Sequence, residues 1–439
     1  MKLSKFGRIA LALAASLFIG LGTQSCYYYT EAYIIVTGSQ YNQVASYREQ
    51  NQTGILTNAP SNPLSSGGTN PVRSVLLPGG RYVYVLNEGK PTYDTTGNIT
   101  WSGANISLFS IGGNGTLSYQ LSYPSQGLGS IRLSLNTGGN VLYVLDTYQP
   151  GSTPNATVAS PTYSAATPCR DTTYNVYRPA GDITAYSIDS TTGRLFLLTN
   201  QQQTNSQGTA LTYFPVGCGA IDFHLLSTYL YTGEASDPAS GQTQMIYPYQ
   251  VSTNGQLIQV AGGAEPAGTQ SMSYMGQSAN GDYIYILDNG SNSIFIYTPG
   301  GNGLLSAIAT GAVANTGGSG MTSIITDSQS KYVYVTNDQS TGLNQSGSII
   351  TAYEVIGGGA LEPLPTSLPT GNLFGTGGGP QCIFQDPSHQ YIYTAGSVSS
   401  TITGAAFDPN TGILRNLSKG STFTTVGTPT WCLYSPNTD

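Results

Sequence analysis

Two arginines occupy the same position in two copies of a repeated strand. Residues 82–85 read YVYV, and Arg73 lies nine residues before the first of these tyrosines. Arg132 lies nine residues before Val141, which begins the next copy. If this position faces the axis of the repeats, the two guanidinium groups form a cationic site for a carboxylate or a phosphate. The alternative is that both arginines serve in structural ion pairs.

A second set of polar residues ends the repeated strands, five residues after the same reference position. The set comprises Asn87, Asp146, Glu234, Asp288 and Asn337. Such side chains could bind a polar ligand, and their oxygens are suitable ligands for Ca²⁺, the one cofactor considered. Asp and Asn also end strands because their side chains close turns. Both interpretations remain open at this point.

Hydrolysis of a lactone needs an activated water and a group that stabilises the developing oxyanion. Glu88 supplies a carboxylate and Arg73 with Arg132 supplies positive charge, so these three are the candidate catalytic residues. His224 and His389 are expected nearer the opposite face and are weaker candidates. The sequence contains no zinc-ligand spacing, nucleophile elbow, phosphate loop or dinucleotide fingerprint.

The strand that carries these residues returns seven times along the chain. Clear copies are YVYVLN at 82–87, YIYILD at 283–288 and YVYVTN at 332–337. Each copy follows a strand and a tight turn, and two further strands joined by Gly- and Asn-rich turns come after it. Most copies are about 49–59 residues apart. The pattern predicts an all-β fold, a seven-bladed β-propeller with four-stranded antiparallel blades.

The two ends of the chain fit one ring. The first copy lacks a preceding strand, and PTWCLYSP at 429–436 matches the first-strand segment at 380–387. The C-terminal strand is therefore expected to join the N-terminal blade and close the ring, which leaves no free sheet edge. We expect one domain over 27–439, with loop insertions at 147–181 and 200–219.

The connections divide between two faces of such a ring. The long loops at 89–104, 147–181, 200–219 and 232–244 follow second or fourth strands and share one face, whereas the short turns lie on the other. Function on a rigid scaffold concentrates on variable loops. This loop-rich face is therefore predicted to bind a polar small molecule, a glycan or an envelope protein.

The YVYVTN repeat and its extent over nearly the whole chain resemble the YVTN-repeat family and the lactonase-type seven-bladed propellers, which include 6-phosphogluconolactonase-like proteins. The resemblance implies the propeller fold and, for the second group, lactone hydrolysis. That group often carries Gly-Pro-Arg-His at the start of an inner strand and Asn-Glu at the end of the next. This chain keeps Pro71, Asn87 and Glu88 but has Val72 and Arg73 where Arg-His would stand.

The first 25 residues have the pattern of an export signal. Its charged region consists of Lys2, Lys5 and Arg8. A 13-residue apolar stretch follows at 9–21, shorter than the ~20 residues that span a bilayer but typical of a signal peptide. Cys26 is then the expected first mature residue, lipidated as in bacterial lipoproteins, which usually have Leu where Thr23 stands. The alternative is cleavage without a lipid.

Composition limits the possible partners. Only 8% of the residues are charged, and the formal charge is −7. Loss of the signal would leave 11 of the 14 basic residues against 21 acidic ones, a charge near −10. Nucleic-acid binding depends on basic patches, so nucleic acid is not an expected partner. We expect a monomer in the cell envelope that contacts the membrane only through its lipid anchor.

The remaining four cysteines permit two disulfides in an exported protein. Cys169 and Cys218 lie in the two long insertions on the loop-rich face, and a disulfide between them is the preferred pairing. The alternative is unpaired buried thiols. Cys382 and Cys432 lie on neighbouring inner strands but one residue out of phase, so the sequence leaves their pairing open.

Together these patterns predict an exported, lipid-anchored propeller that acts as a non-catalytic binding module through its loop-rich face. The alternative is a lactonase-type hydrolase that opens a sugar lactone at the channel mouth with Glu88, Arg73 and Arg132.

Overall fold

The computed structural model describes residues 29–95, 99–150, 170–171, 176–177, 180–235, 243–263, 265–340, 347–365 and 373–437. The predicted signal peptide, Cys26, Cys169 and most of the 147–181 insertion lie outside these ranges. Within them, no helix is both long enough and apolar enough to cross a membrane.

Seven antiparallel sheets form the blades of a propeller, as predicted. Each has four main strands, and six of them carry a short fifth strand. The first blade contains β1 (Thr30–Gly38), β2 (Gln43–Gln50), β3 (Leu56–Asn58) and β4 (Leu64–Ser65). The second contains β5 (Pro71–Leu76), β6 (Tyr82–Asn87), β9 (Asn105–Ile111) and β10 (Leu117–Tyr123), with a separate hairpin of β7 (Lys90–Tyr93) and β8 (Ile99–Ser102) in its long loop.

The middle blades repeat this order. The third contains β11 (Leu128–Leu135), β12 (Val141–Tyr148), β15 (Ala180–Ile188), β16 (Leu195–Leu197) and β17 (Phe214–Cys218), with β13 (Arg170–Asp171) paired to β14 (Val176–Tyr177). The fourth contains β18 (Ala220–Leu226), β19 (Tyr229–Glu234), β20 (Met245–Val251), β21 (Leu257–Gln259) and β22 (Glu265–Pro266). The fifth contains β23 (Met272–Gln277), β24 (Ile284–Asp288), β25 (Ser293–Pro299), β26 (Leu305–Ala307) and β27 (Val313–Ala314).

The last two blades complete the ring. The sixth contains β28 (Gly318–Thr326), β29 (Tyr332–Ser340), β30 (Ile349–Val355), β31 (Leu361–Pro363) and β32 (Leu373–Gly375), with one short 3₁₀ turn at Gly357–Gly359. The seventh contains β33 (Pro380–Gln385), β34 (Tyr391–Gly396), β35 (Thr401–Phe407), β36 (Leu414–Asn416) and β37 (Thr422–Thr424). The final strand, β38 (Pro429–Pro436), pairs with β1 of the first blade. The predicted closure by the C-terminal strand is therefore confirmed.

The tight turns between first and second strands are held by one side chain. Asp386 accepts hydrogen bonds from the backbone N–H groups of Gln390 at 2.9 Å and Tyr391 at 2.6 Å. Asp327 does the same for Tyr332 at 2.7 Å in the sixth blade. These bonds fix where the second strand begins, and so they set the register of the repeated YVYV segment.

The second tyrosine of the repeat joins neighbouring blades. The hydroxyl of Tyr84 donates to the carbonyl of Gly193, in the outer turn of the next blade, at 2.7 Å. Tyr143 makes the same bond to Gly255 at 3.0 Å. Tyr334 with Gly412 and Tyr393 with Gly54 repeat it at 2.6 and 2.8 Å. These tyrosines are fully buried, so each hydroxyl satisfies a carbonyl that would otherwise lack a partner.

A disulfide between Cys382 and Cys432 joins the seventh blade to the first, with the two Cα atoms 5.7 Å apart. The sequence leaves this pairing open because the two positions are one residue out of phase. Successive residues point to opposite faces of a strand, and the facing surfaces of adjacent blades belong to opposite sides of their sheets. Cysteines one residue out of phase therefore point toward each other.

Tyr84→Phe should lower the free energy of unfolding by about 1–2 kcal/mol, because the buried Gly193 carbonyl loses its donor. Tyr231 is the matched control, since its buried hydroxyl has no hydrogen-bond partner in the described part of the chain. Tyr231→Phe should leave stability nearly unchanged. Urea unfolding of both variants measures the difference, and equal losses would contradict the assigned role of the hydroxyl.

Replacing Cys382 and Cys432 together with alanine should lower the free energy of unfolding by about 3–4 kcal/mol, because the disulfide closes a loop with a sequence separation of 50 residues. Denaturant unfolding of the double variant and the parent under non-reducing conditions measures the loss. An unchanged midpoint would contradict a role for this disulfide in holding the ring closed.

Candidate functional site

The inner strands place one ring of side chains around the channel at the depth of Arg73. Strand pairing defines the ring, because each member lies opposite the same position of its second strand. We call it the arginine layer: Arg73, Arg132, Asp222, Tyr274, Ser323, Cys382 and Trp431. Counting nine residues back from each copy of the repeat, and matching the two chain ends for Trp431, gives six of these seven positions, and the fourth member differs.

The fourth member is Asp222, where constant spacing from the repeated tyrosine predicts Ala220. In the second blade Leu76 pairs with Val83, so six residues connect the paired positions. In the fourth blade the equivalent pair is Leu225 with Leu230, and only four residues intervene. Ser227 makes this shorter turn with a φ of 56°. Because this turn is shorter, fewer than nine residues separate Asp222 from Tyr229, the reference tyrosine of this copy of the repeat.

Arg73 lies between two aromatic rings. Its guanidinium carbon is 3.6 Å from the ring centre of Trp431 and 5.3 Å from that of Tyr274. These two rings, which come from blades on different sides of the channel, have centres 6.2 Å apart. Arg73 is buried and, in the described ranges, no carboxylate forms an ion pair with it. Burial, followed by the charge of Arg132, lowers the pKa of Arg73 to about 9.

Arg132 differs from Arg73 because its charge is balanced. Its Nε donates to Oδ1 of Asp222 at 2.6 Å. The other carboxylate oxygen of Asp222 accepts the backbone N–H of Met275, at 2.9 Å, from the next blade. Arg132 therefore forms a structural ion pair, which is the alternative role that the sequence left open for it. Asp222 is the one acidic member of the arginine layer, so Arg73 is left as the arginine that has no ion-pair partner within the described residues.

A cavity of about 490 Å³ lies against the arginine layer. The residues two positions further along each inner strand form the next ring, because alternate residues share one face of a strand, and all of them except Gly276 line the cavity. We call this ring the apolar layer: Val75, Ser134, His224, Gly276, Ile325, Phe384 and Leu433. Residues before Arg73 on its strand do not line the cavity. The cavity therefore lies on the short-turn side of the arginine layer.

His224 lines this cavity on the short-turn side of the arginine layer, toward the face predicted from the sequence. Its Nε2 lies 2.8 Å from Oε1 of Gln277 on the next blade. Burial lowers the pKa of His224 below its usual value. The imidazole is therefore neutral at pH 7. His389 lies in a tight turn on the short-turn face, with a φ of 61°.

Glu88 lies at the loop end of β6 and does not line the cavity. Its Oε2 accepts a hydrogen bond from Nδ2 of Asn70 at 2.8 Å. Burial raises the pKa of this carboxyl above its usual value. The neighbouring side chains that shift the pKa of Arg73 are Arg132, Tyr274 and Asp222, and Glu88 is not one of them. The structure thus brings the two predicted arginines together and leaves Glu88 apart from them.

The strand-ending set of polar residues makes turn-closing contacts. Asp288 accepts from the backbone N–H groups of Ser271 and Ser291, and Asn87 donates to the Ser66 carbonyl at 3.2 Å. Glu234 accepts from the N–H of Cys218 at 3.2 Å. In the described ranges, no group of three or more acidic, histidine or cysteine side chains could hold a metal ion. Their role in binding a ligand stays a prediction.

Asp146 is a fully buried member of this set and has a second carboxylate beside it. It accepts hydrogen bonds from the hydroxyls of Ser125 and Thr184 and from the N–H of Gly127. A Cβ on Gly127 would lie only 2.5 Å from the Asp146 side chain, so glycine is required there. Asp182 is its cross-strand partner, and neither of its buried carboxylate oxygens has a hydrogen-bond partner among the residues that the structure describes.

On the loop-rich face, Trp101 packs against Tyr148 with ring centres 5.3 Å apart. Exposed Tyr93 lies on the other strand of the hairpin that carries Trp101. In the 200–219 insertion, Cys218 is disulfide-bonded. Its partner lies outside the described ranges, and the predicted pairing with Cys169 stays a prediction.

No protein-family model matches the sequence, and no curated protein matches it significantly. In structure, the chain is similar to 6-phosphogluconolactonase-like seven-bladed propellers. A candidate 6-phosphogluconolactonase from Bacteroides fragilis aligns with a TM-score of 0.64 and 16% identity, over 92% of this chain and 98% of its own. The periplasmic gluconolactonase of Pseudomonas aeruginosa aligns with a TM-score of 0.62 and 14% identity, over 92% and 99%. At these identities the likeness shows the fold.

The buried carboxylates predict a specific pH dependence. Burial raises the pKa of Asp146 to about 6 and that of Asp182 well above its usual value. An unfolded aspartate ionises near pH ~4, so above that pH the folded protein holds protons that the unfolded chain has lost. Stability should therefore fall as the pH rises from 4 through 6 and beyond.

Asp182→Asn should remove much of this effect, because the amide stays neutral. We expect little change in the free energy of unfolding at pH 4.5 and a gain of about 1–3 kcal/mol at pH 8. Urea unfolding at the two pH values measures both. A variant that is less stable than the parent at pH 8 would contradict the assigned ionisation.

Proposed function

We propose that the protein is a non-catalytic binding propeller whose central channel takes a small organic anion. One observation carries the proposal: the guanidinium of Arg73 faces the cavity without a carboxylate partner in the described ranges. A buried charge is costly unless it is paired. A carboxylate or phosphate entering the cavity would supply the missing charge and form two parallel hydrogen bonds with the guanidinium.

The surroundings of Arg73 suit recognition. The rings of Trp431 and Tyr274 hold the guanidinium from two sides, so little side-chain freedom is lost when a ligand binds. The cavity of about 490 Å³ falls within the ~300–1,000 Å³ of small-molecule sites. We therefore propose that the primary site lies in the channel. The loop-rich face, with Trp101 and Tyr148, is proposed as a second surface that binds a glycan or an envelope protein.

We place the protein outside the cytoplasm, attached to the cell envelope through a lipid on Cys26 after removal of the signal. The disulfide of Cys382 and Cys432 supports an oxidising compartment, where such bonds persist. The structural neighbour from Pseudomonas aeruginosa is a periplasmic protein. The membrane anchor itself rests on the sequence alone.

Lactone hydrolysis is the second candidate function. The observation in its favour is that Arg73, Arg132 and His224 line one cavity. In this mechanism Nε2–H of His224 donates to Gln277, and the lone pair on Nδ1 takes a proton from water as the water attacks the lactone carbonyl. The two arginines would stabilise the oxyanion, and the ring oxygen would leave with a proton to give the hydroxy acid. Glu88 remains the carboxylate that the family resemblance implies.

Isothermal titration of the 27–439 domain with benzoate and with hexanoate tests the first proposal. Binding should occur to the parent protein, and Arg73→Gln should weaken it at least tenfold, since a charged hydrogen bond is worth about 1.5–3 kcal/mol. Glu88→Gln is the matched control, because its side chain lies away from the cavity, and it should bind as the parent does. Absence of binding to the parent would overturn the proposal.

A pH-stat assay with 6-phosphogluconolactone and glucono-lactone, corrected for spontaneous opening, separates the two functions. The binding proposal expects background rates for the parent and for every variant. Turnover that is lost in Arg73→Gln and His224→Gln would establish hydrolysis in the channel. Turnover that survives in both but is lost in Glu88→Gln would place the chemistry at the loop-rich face.

A further inference from the structure

We propose that the channel ligand is amphipathic: a carboxylate that carries an aliphatic or aromatic tail, with the head on Arg73 and the tail in the apolar layer. The inference rests on the proposed function and adds the ligand's class and its direction of entry.

The apolar layer has the chemistry of a tail site. Val75, Ile325, Phe384 and Leu433 contribute four of its seven positions, and Gly276 adds no polar group. Leu76, Leu135 and Tyr434, each one residue beyond this layer on its strand, extend the lining toward the short turns. Apolar atoms that enter such a cavity leave water and gain close contacts, which stabilises the complex in proportion to the buried area.

The polar groups in this layer are too few for a sugar. They are Ser134 and His224, on adjacent blades. The Nε2 of His224 is already bonded to Gln277. A polyhydroxylated acid would carry several hydroxyl groups past the apolar side chains that make up most of this layer. Each hydroxyl left without a partner costs about 1–3 kcal/mol, so the cavity selects against sugar acids.

The two ends of the cavity define how the ligand enters. On the side of the loop-rich face, Trp431, Arg73 and Tyr274 pack together, with the guanidinium carbon 3.6 Å and 5.3 Å from the two ring centres. On the other side the lining continues along the inner strands toward the short turns. The carboxylate would therefore enter first, from the short-turn face, and the tail would remain toward the opening. The sequence predicted binding on the loop-rich face, which is the opposite face of the propeller.

A homologous series of ligands tests the inference without altering the protein. Isothermal titration with acetate, butyrate, hexanoate and octanoate should show affinity rising about two- to fourfold for each added methylene, as expected for burial of a CH₂ group. Gluconate has the same head with a hydroxylated tail and should bind at least tenfold more weakly than hexanoate. Octanol has the same tail without the charge and should also bind at least tenfold more weakly than octanoate.

The outcomes separate this inference from the proposed function. If gluconate binds as tightly as hexanoate, and Arg73→Gln abolishes both, the channel binds anions but the amphipathic class is wrong. If octanol binds as tightly as octanoate, the head contact with Arg73 is wrong. If none of the carboxylates binds, the proposed function and the inference are both overturned.

Ser134→Phe provides a test on the protein. Ser134 is half-buried in the apolar layer, and a phenyl ring there would occupy part of the tail space while leaving Arg73 unchanged. Acetate should bind this variant as it binds the parent, whereas the gain from butyrate to octanoate should largely disappear. An unchanged chain-length dependence in a folded variant, checked by its unfolding midpoint, would overturn the placement of the tail.

Discussion

The ring depends on face-to-face packing of neighbouring blades, which four of the seven blades secure with the same contact: a buried tyrosine hydroxyl that bonds the outer turn of the next blade. Tyr84, Tyr143, Tyr334 and Tyr393 make it, and each lies in the middle of a second strand where both sheet faces are covered. A tyrosine can reach its turn only when neighbouring sheets pack face to face at a constant angle. Repeated around the chain, this angle closes the ring, and the final strand pairs with the first.

The same face-to-face packing determines what the channel contains. Because every inner strand presents equivalent residues toward the following blade, Arg132 meets Asp222, and Asp222 meets the backbone of Met275. Cys382 meets Cys432 for the same reason. Arg73 has no acidic neighbour at its position and is held by aromatic rings instead. An arginine that the packing leaves without a counter-charge, beside a cavity, is the basis of the proposed binding site.

The repeat made the fold predictable, because tyrosine spacing and short turns are local features of the sequence. The blade number, the closure and most of the arginine layer followed from it. Asp222 was missed because the turn between the first and second strands of the fourth blade is shorter than in the other blades. The short turn that contains Ser227 and Thr228 was the sequence signal for this difference. Glycines pack against the strand-ending acids, as Gly127 does against Asp146. These glycines were a second sequence signal, because they indicate that the acids are enclosed. The cavity's position could not be predicted, since it depends on how Tyr274 crosses the channel.

The most direct test of the channel site is a crystal structure of the protein with 4-bromobenzoate, located by the anomalous scattering of bromine. The proposed site requires the carboxylate on the guanidinium of Arg73 and the bromine peak in the apolar layer, near Phe384 and Leu433. A bromine peak confined to the loop-rich face, with the channel unchanged, would contradict it.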